Sequence, residues 1–132
     1  MKKGLIIMLT ISLSLFGLCA CGGENKTPTP QYEQISAEKA KELMNTEKDY
    51  VILDARTQEE FDEGHIKGAI MIPEYEVSNR AEKELPNKDQ LILVYCRSGR
   101  RSKIAAQALQ DLGYTNVKEF GGIIDWPYEI VK

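Results

Sequence analysis

The run Leu91-Ile92-Leu93-Val94-Tyr95-Cys96-Arg97-Ser98-Gly99-Arg100-Arg101-Ser102 decides the reading of this chain. Its apolar stretch from Leu91 to Tyr95 has the pattern of a strand covered on both faces. The strand ends on a cysteine. A short loop with Gly99 and the arginines 97, 100 and 101 follows. A helix then begins at Ser102, since Ile104, Ala105, Ala108, Leu109 and Leu112 recur at helical spacing. Cys96 therefore stands between a strand's carboxyl end and a helix's amino end, where backbone N–H groups lack partners. Those N–H groups, the helix dipole and the arginines all favour an anion. The first such anion is the cysteine's own thiolate, and the second is an anionic substrate in the same cradle. A cysteine that merely fills a core needs no arginines beside it. A loop this tight cannot aim every arginine inward, so one or two of the three face solvent.

Outward from this run, strands alternate with helices. Ser36 caps a first helix carrying Ala37, Ala40, Leu43 and Met44. Tyr50 to Leu53 is a second continuous apolar strand. Thr57-Gln58-Glu59-Glu60 is a capping box that opens a short helix. Ala69 to Ile72 is a strand stopped by Pro73, and Glu76 to Leu85 reads as a helix. Gly113 ends the helix that starts at Ser102. Val117 to Phe120 is a last strand, after which Gly121-Gly122 turns into a terminal segment with Trp126. The pattern predicts one α/β domain over residues 34–132, with a mostly parallel central sheet and helices on both faces. Ligands of such sheets bind outside the strands' carboxyl ends, which is where Cys96 lies.

The chain begins with a leader. Lys2 and Lys3 precede an apolar stretch from Leu5 to Leu18 that is too short and too interrupted for a span of about 20 apolar residues. Leu18-Cys19-Ala20-Cys21 resembles the lipobox of bacterial lipoproteins. That resemblance implies a signal peptide over residues 1–20, cleavage after Ala20, and a diacylglyceryl group on Cys21. Residues 21–33 then form a flexible tether, reaching at most ~40 Å when extended. The expected location is extracytoplasmic and membrane-anchored. Of the chain's 3 cysteines, only Cys96 then remains a free thiol, so no internal disulfide is expected. The formal net charge of −3 becomes more acidic once Lys2 and Lys3 leave, which argues against nucleic acid as a partner.

Three segments together resemble the rhodanese family of sulfurtransferases. Residues 52–73, from Ile52 through Asp54-Ala55-Arg56 and Gly64-His65-Ile66 to Pro73, are similar to its amino-terminal signature. Cys96-Arg97-Ser98-Gly99-Arg100-Arg101 resembles its active-site loop, and Gly121-Gly122-Ile123-Ile124-Asp125-Trp126 its carboxyl-terminal signature. The resemblance implies a reaction in which Cys96 takes the outer sulfur of thiosulfate or a similar donor as a persulfide. A thiol or other thiophilic acceptor then removes it. The donor is a small anion, with Arg97, Ser98, Gly99, Arg100, Arg101 and Ser102 as the residues that bind it. Arg101, as the loop's last residue, helps set donor preference. No metal or organic cofactor is implied, and the chain is expected to be a monomer.

Two rival readings stand beside this one. A binding module or persulfide carrier would use the fold without turnover. A cysteine phosphatase would need arginine six residues after its cysteine, to grip phosphate bidentately, and here that residue is Ser102. Asp54 and Arg56 are read as structural near the site, with Arg56 bonding nearby loop carbonyls. His65 is expected to satisfy backbone groups rather than serve Cys96, and Trp126 to pack with its N–H on a carbonyl. Lipidation has a direct test: metabolic labelling with a palmitate analogue should mark the wild type and not Cys21→Ser. Equal labelling of the two would contradict the anchor.

Overall fold

The computed structural model describes residues 32–132; the expected leader, the expected lipidation at Cys21 and the expected tether as far as Gln31 lie outside the described residues. The elements in chain order are β1 (Glu33–Gln34), α1 (Ala37–Thr46), β2 (Tyr50–Asp54), α2 (Gln58–Glu63), β3 (Ile70–Met71), α3 (Val77–Glu84), β4 (Leu91–Cys96), α4 (Arg100–Asp111) and β5 (Val117–Gly122). Short 3-10 turns at Glu74–Glu76 and Ile123–Asp125 complete the path. The five strands form one sheet in the order β1-β5-β4-β2-β3, and every pairing is parallel. The expected α/β architecture is therefore present, with β4 at its centre.

Alternation along β4 divides the core. Ile92, Val94 and Cys96 face α3 and α4, where Val77, Ala81, Ala105, Ala106 and Leu109 pack against them. Leu91, Leu93 and Tyr95 face the other way, against Ala40 of α1, Phe120 and Trp126. All six β4 residues are buried. Each large apolar side chain so buried contributes about 1.5–3 kcal/mol. A strand in this position has no polar face, which explains its unbroken apolar run.

The local signals hold with small shifts. Ser36 caps α1 by accepting from the Lys39 N–H, and Thr57 with Glu60 forms the capping box of α2. Gly113 follows α4 with φ +93°, a left-handed conformation that glycine enters freely. Three differences matter. The sheet begins at Glu33 rather than after the tether, because the Glu33–Gln34 backbone pairs with Lys118 and Glu119. Two exposed polar residues give no apolar pattern, so that edge strand is silent in sequence. Helix α4 starts at Arg100, two residues earlier than expected, which moves Arg100 and Arg101 from the loop into the helix. Strand β5 runs through Gly121 and Gly122 instead of turning at them.

The last difference shapes the site. Val94 pairs with Glu119, but Cys96 pairs with Gly122, so β5 carries an extra residue beside the cysteine. Such a bulge bends its strand and re-aims side chains. Gly121, with φ +91°, absorbs the irregularity. Gly122 lies against the loop after Cys96 so closely that a Cβ there would sit 2.1 Å from the Arg97 carbonyl oxygen. No other residue fits that crossing without moving the loop.

Candidate functional site

Cys96 ends β4 at the carboxyl edge of the sheet and is 1% exposed. The loop turns back at once. Gly99 takes φ +103° as the N-cap of α4, a conformation most side chains avoid. This turn points the Gly99 N–H at the Cys96 sulfur, and the Sγ accepts it at 3.0 Å. The first turn of α4 follows directly, with its unpartnered N–H groups and the positive end of the helix dipole. The geometry suits negative charge on the sulfur.

Ser102 lies on the other side of Cys96. Its Oγ is 3.3 Å from the Cys96 sulfur and 2.6 Å from Oε1 of Glu119, and it is fully buried. It touches the Cys96 sulfur from within the core, whereas the sequence reading expects it among the residues that bind the donor. Its role as an α4 residue on the inner face follows from the early start of the helix. Arg97, Ser98 and Arg100 are exposed around the loop.

Arg101 is held by a partner that the sequence did not reveal. Its two terminal nitrogens donate to Oε2 and Oε1 of Glu60, both at 2.7 Å, in a bidentate pair that is mostly buried. Glu60 Oε2 also accepts the Thr57 N–H at 3.1 Å. One carboxylate thus caps α2 and anchors the start of α4. The capping box accounts for Glu60 locally, which hid its second use. The Arg101 hydrogen bonds are the main reason the Glu60 carboxyl is held down to about 2, and Glu60 in turn raises the Arg101 guanidinium. The Arg101 charge, expected to meet the donor, already has a carboxylate partner in Glu60.

Asp54 and Arg56 form a buried network behind the site. The Arg56 guanidinium donates to both oxygens of Asp54, with Nη2 to Oδ2 at 2.7 Å, and to the Gly64 carbonyl at 2.7 Å. The Tyr95 hydroxyl donates to Asp54 at 2.7 Å and accepts the Ile66 N–H at 3.1 Å. Burial opposes the Arg56 charge, but the Asp54 carboxylate outweighs it and raises the group. Burial, then the Asp54 charge, pushes the Tyr95 phenol up, so it stays a donor. These residues tie β2, β4 and the Gly64 turn together. His65 stacks on Phe61 with ring centroids 3.7 Å apart, and its Nδ1 lies 2.9 Å from the Phe61 carbonyl. The Trp126 N–H meets the Glu129 carbonyl at 3.4 Å. Among the described residues, no three His, Cys, Asp or Glu side chains converge as a metal site requires.

Sequence reasoning missed Glu119 as well as the Arg101 partner. No local signal marked Glu119, because Lys118 beside it makes the strand read as one with a polar face.

Comparison with known proteins agrees with this geometry. The family model described as "Rhodanese-like domain" matches residues 36–127. The thiosulfate sulfurtransferase PspE of Escherichia coli (strain K12) is 40% identical over 80 residues, covering 61% of this chain and 77% of that protein. The putative sulfur carrier protein YrkF of Bacillus subtilis (strain 168) is 36% identical over 107 residues, covering 80% of this chain and 57% of that protein. Among solved structures, one titled "rhodanese with anions from E. coli" superposes with a TM-score of 0.59 at 37% identity, covering 63% of this chain and 98% of that one.

The Glu60–Arg101 pair generates a pH prediction. Glu60 has a folded value of about 2 against an ordinary 4.5, so its stabilisation is present above 4.5 and is lost as pH falls toward 2. Glu60→Gln should lower stability at neutral pH by about 1–2 kcal/mol. Its melting temperature should also fall less steeply than the wild type's over that acid window. Parallel acid profiles would show that the pair adds nothing.

Proposed function

This chain belongs to the rhodanese-like family, and from that premise we propose that it is a sulfurtransferase working through a persulfide on Cys96. The observation that carries the proposal is the sulfur itself, buried at 1% exposure and accepting the Gly99 N–H at the head of α4. A thiolate there is the nucleophile. It attacks the outer sulfur of thiosulfate or a similar donor. The new S–S bond forms on Cys96 as the donor's S–S bond breaks, and that bond's electron pair leaves with sulfite. The persulfide carries negative charge, which the same N–H and the helix dipole stabilise as an oxyanion hole would. A thiol, or cyanide in the assay, then takes the outer sulfur. Exposed Arg97 and Arg100 draw the anionic donor to the loop. The depth of the sulfur restricts the donor to one whose terminal sulfur can project into so tight a turn.

The relatives named as a thiosulfate sulfurtransferase and a putative sulfur carrier support two uses of one persulfide, turnover and delivery. The phosphatase alternative meets a specific obstacle. The position six residues after Cys96 holds buried Ser102, and no guanidinium stands there to grip phosphate. On this proposal Cys21 anchors the domain at a membrane outside the cytoplasm.

Purified protein should convert thiosulfate and cyanide to thiocyanate with ping-pong kinetics. Cys96→Ser should abolish turnover, since a serine hydroxyl is not ionised at neutral pH and carries no sulfane sulfur. Hydrolysis of p-nitrophenyl phosphate should be negligible. Phosphate release without thiocyanate would overturn the proposal in favour of the phosphatase.

A further inference from the structure

Glu119 is a buried carboxyl that the sulfur chemistry above leaves without a task. It is 2% exposed and lies on β5, one residue before the bulge. Its Oε1 accepts the Ser102 hydroxyl at 2.6 Å and the Gly121 N–H at 2.8 Å. Ser102 is fully buried, and its Oγ lies 3.3 Å from the Cys96 sulfur. Sulfur, hydroxyl and carboxyl thus form an unbroken chain whose members are all buried. A hydroxyl has one proton and two lone pairs. The Gly99 and Gly121 carbonyls are also within reach of that proton, at 3.1 and 3.4 Å, but Glu119 is nearest. With its proton on Glu119, Ser102 turns a lone pair toward the sulfur and accepts from the thiol. Packing alone gives no reason for a carboxyl here, because an aliphatic side chain would fill the strand position without the cost of desolvating a charge.

We infer that Glu119 takes the proton of the Cys96 thiol through Ser102 and returns it at the end of each cycle. The inference rests on the persulfide chemistry proposed above and adds the path of its proton. The S–H proton passes to Ser102 Oγ as the Ser102 proton passes to Glu119 Oε1. The thiolate so formed attacks the donor's outer sulfur, and sulfite leaves with the electron pair of the broken bond. No oxidant or reductant enters. The Ser102 hydroxyl now points at the sulfur, and protonated Glu119 donates to Ser102. When the acceptor removes the outer sulfur, the Cys96 thiolate reforms and the proton runs back. Negative charge moves from carboxylate to sulfur, so two buried anions never stand side by side. Glu119 does not touch the substrate, so it is a positioning residue, whereas Ser102 touches the reacting atom.

The test compares Glu119→Gln, Ser102→Ala and the double variant. Glutamine keeps the length and can accept both hydrogen bonds, but it cannot take the proton. Alkylation of Cys96 by iodoacetamide, with no sulfur donor present, is read beside kcat and KM for thiosulfate. Each single variant should slow alkylation and lower kcat by roughly a hundredfold or more, with KM little changed from wild type. The double variant should be no slower than Ser102→Ala, because both changes break one path. Alkylation of Glu119→Gln as fast as wild type or faster would overturn the inference, as would losses that add in the double variant. If Glu119→Gln does not fold, Ser102→Thr carries the test. It restores the hydroxyl and should recover the rate that Ser102→Ala loses, and equal rates in these two would overturn the relay. Absence of thiocyanate from the wild type would instead count against the sulfurtransferase reading, since alkylation needs no donor.

Discussion

A thiolate buried at a sheet's edge would need its charge met by the protein, because water is not there to meet it. Everything near Cys96 answers that constraint. Gly99 turns the chain sharply enough to bring its N–H to the sulfur at 3.0 Å, and α4 begins at the next residue. Gly122 clears the space in which the loop can cross β5, where a Cβ would meet the Arg97 carbonyl at 2.1 Å. The β5 bulge sets Gly122, rather than Gly121, opposite Cys96. Each of these is a backbone requirement, and each is satisfied by a glycine that could not be exchanged for a larger residue without moving the sulfur's surroundings.

The charges around the site divide into two kinds. Arg97 and Arg100 are exposed and can draw in an anion. Arg101 and Arg56 are bound to carboxylates, Glu60 and Asp54, each with two or more hydrogen bonds. Guanidiniums paired in this way fix geometry, because a bidentate pair holds both partners in one plane. The Arg101–Glu60 pair joins the start of α4 to α2, and the Arg56–Asp54–Tyr95 network joins β2 to β4 and the Gly64 turn. The cysteine loop is thereby held on both flanks by segments that lie far away in sequence.

The order of strands and helices was legible because the apolar runs at residues 50–53 and 91–95 can only be strands covered on both faces. The place of Cys96 was legible for a similar reason: a cysteine between such a strand and a helix, with arginines beside it, sits where a thiolate is favoured. The edge strand Glu33–Gln34 was not legible, since two exposed polar residues carry no period. The Arg101–Glu60 pair was hidden because its members stand 41 residues apart and Glu60 already had a local role as a cap. The place of Ser102 depended on where α4 begins, and helix boundaries read from periodicity shift by a residue or two. Glu119 beside Lys118 looked like an ordinary polar strand residue, and only the bulge and the start of α4 show what it faces.

The proposed chemistry puts the transferred sulfur on Cys96. Mass spectrometry of the intact protein after incubation with thiosulfate tests it most directly. A gain of one sulfur atom is expected, mapped to the peptide holding Cys96, absent from Cys96→Ser and removed by added cyanide. A wild-type protein whose Cys96 remains open to alkylation yet gains no sulfur from thiosulfate would contradict it.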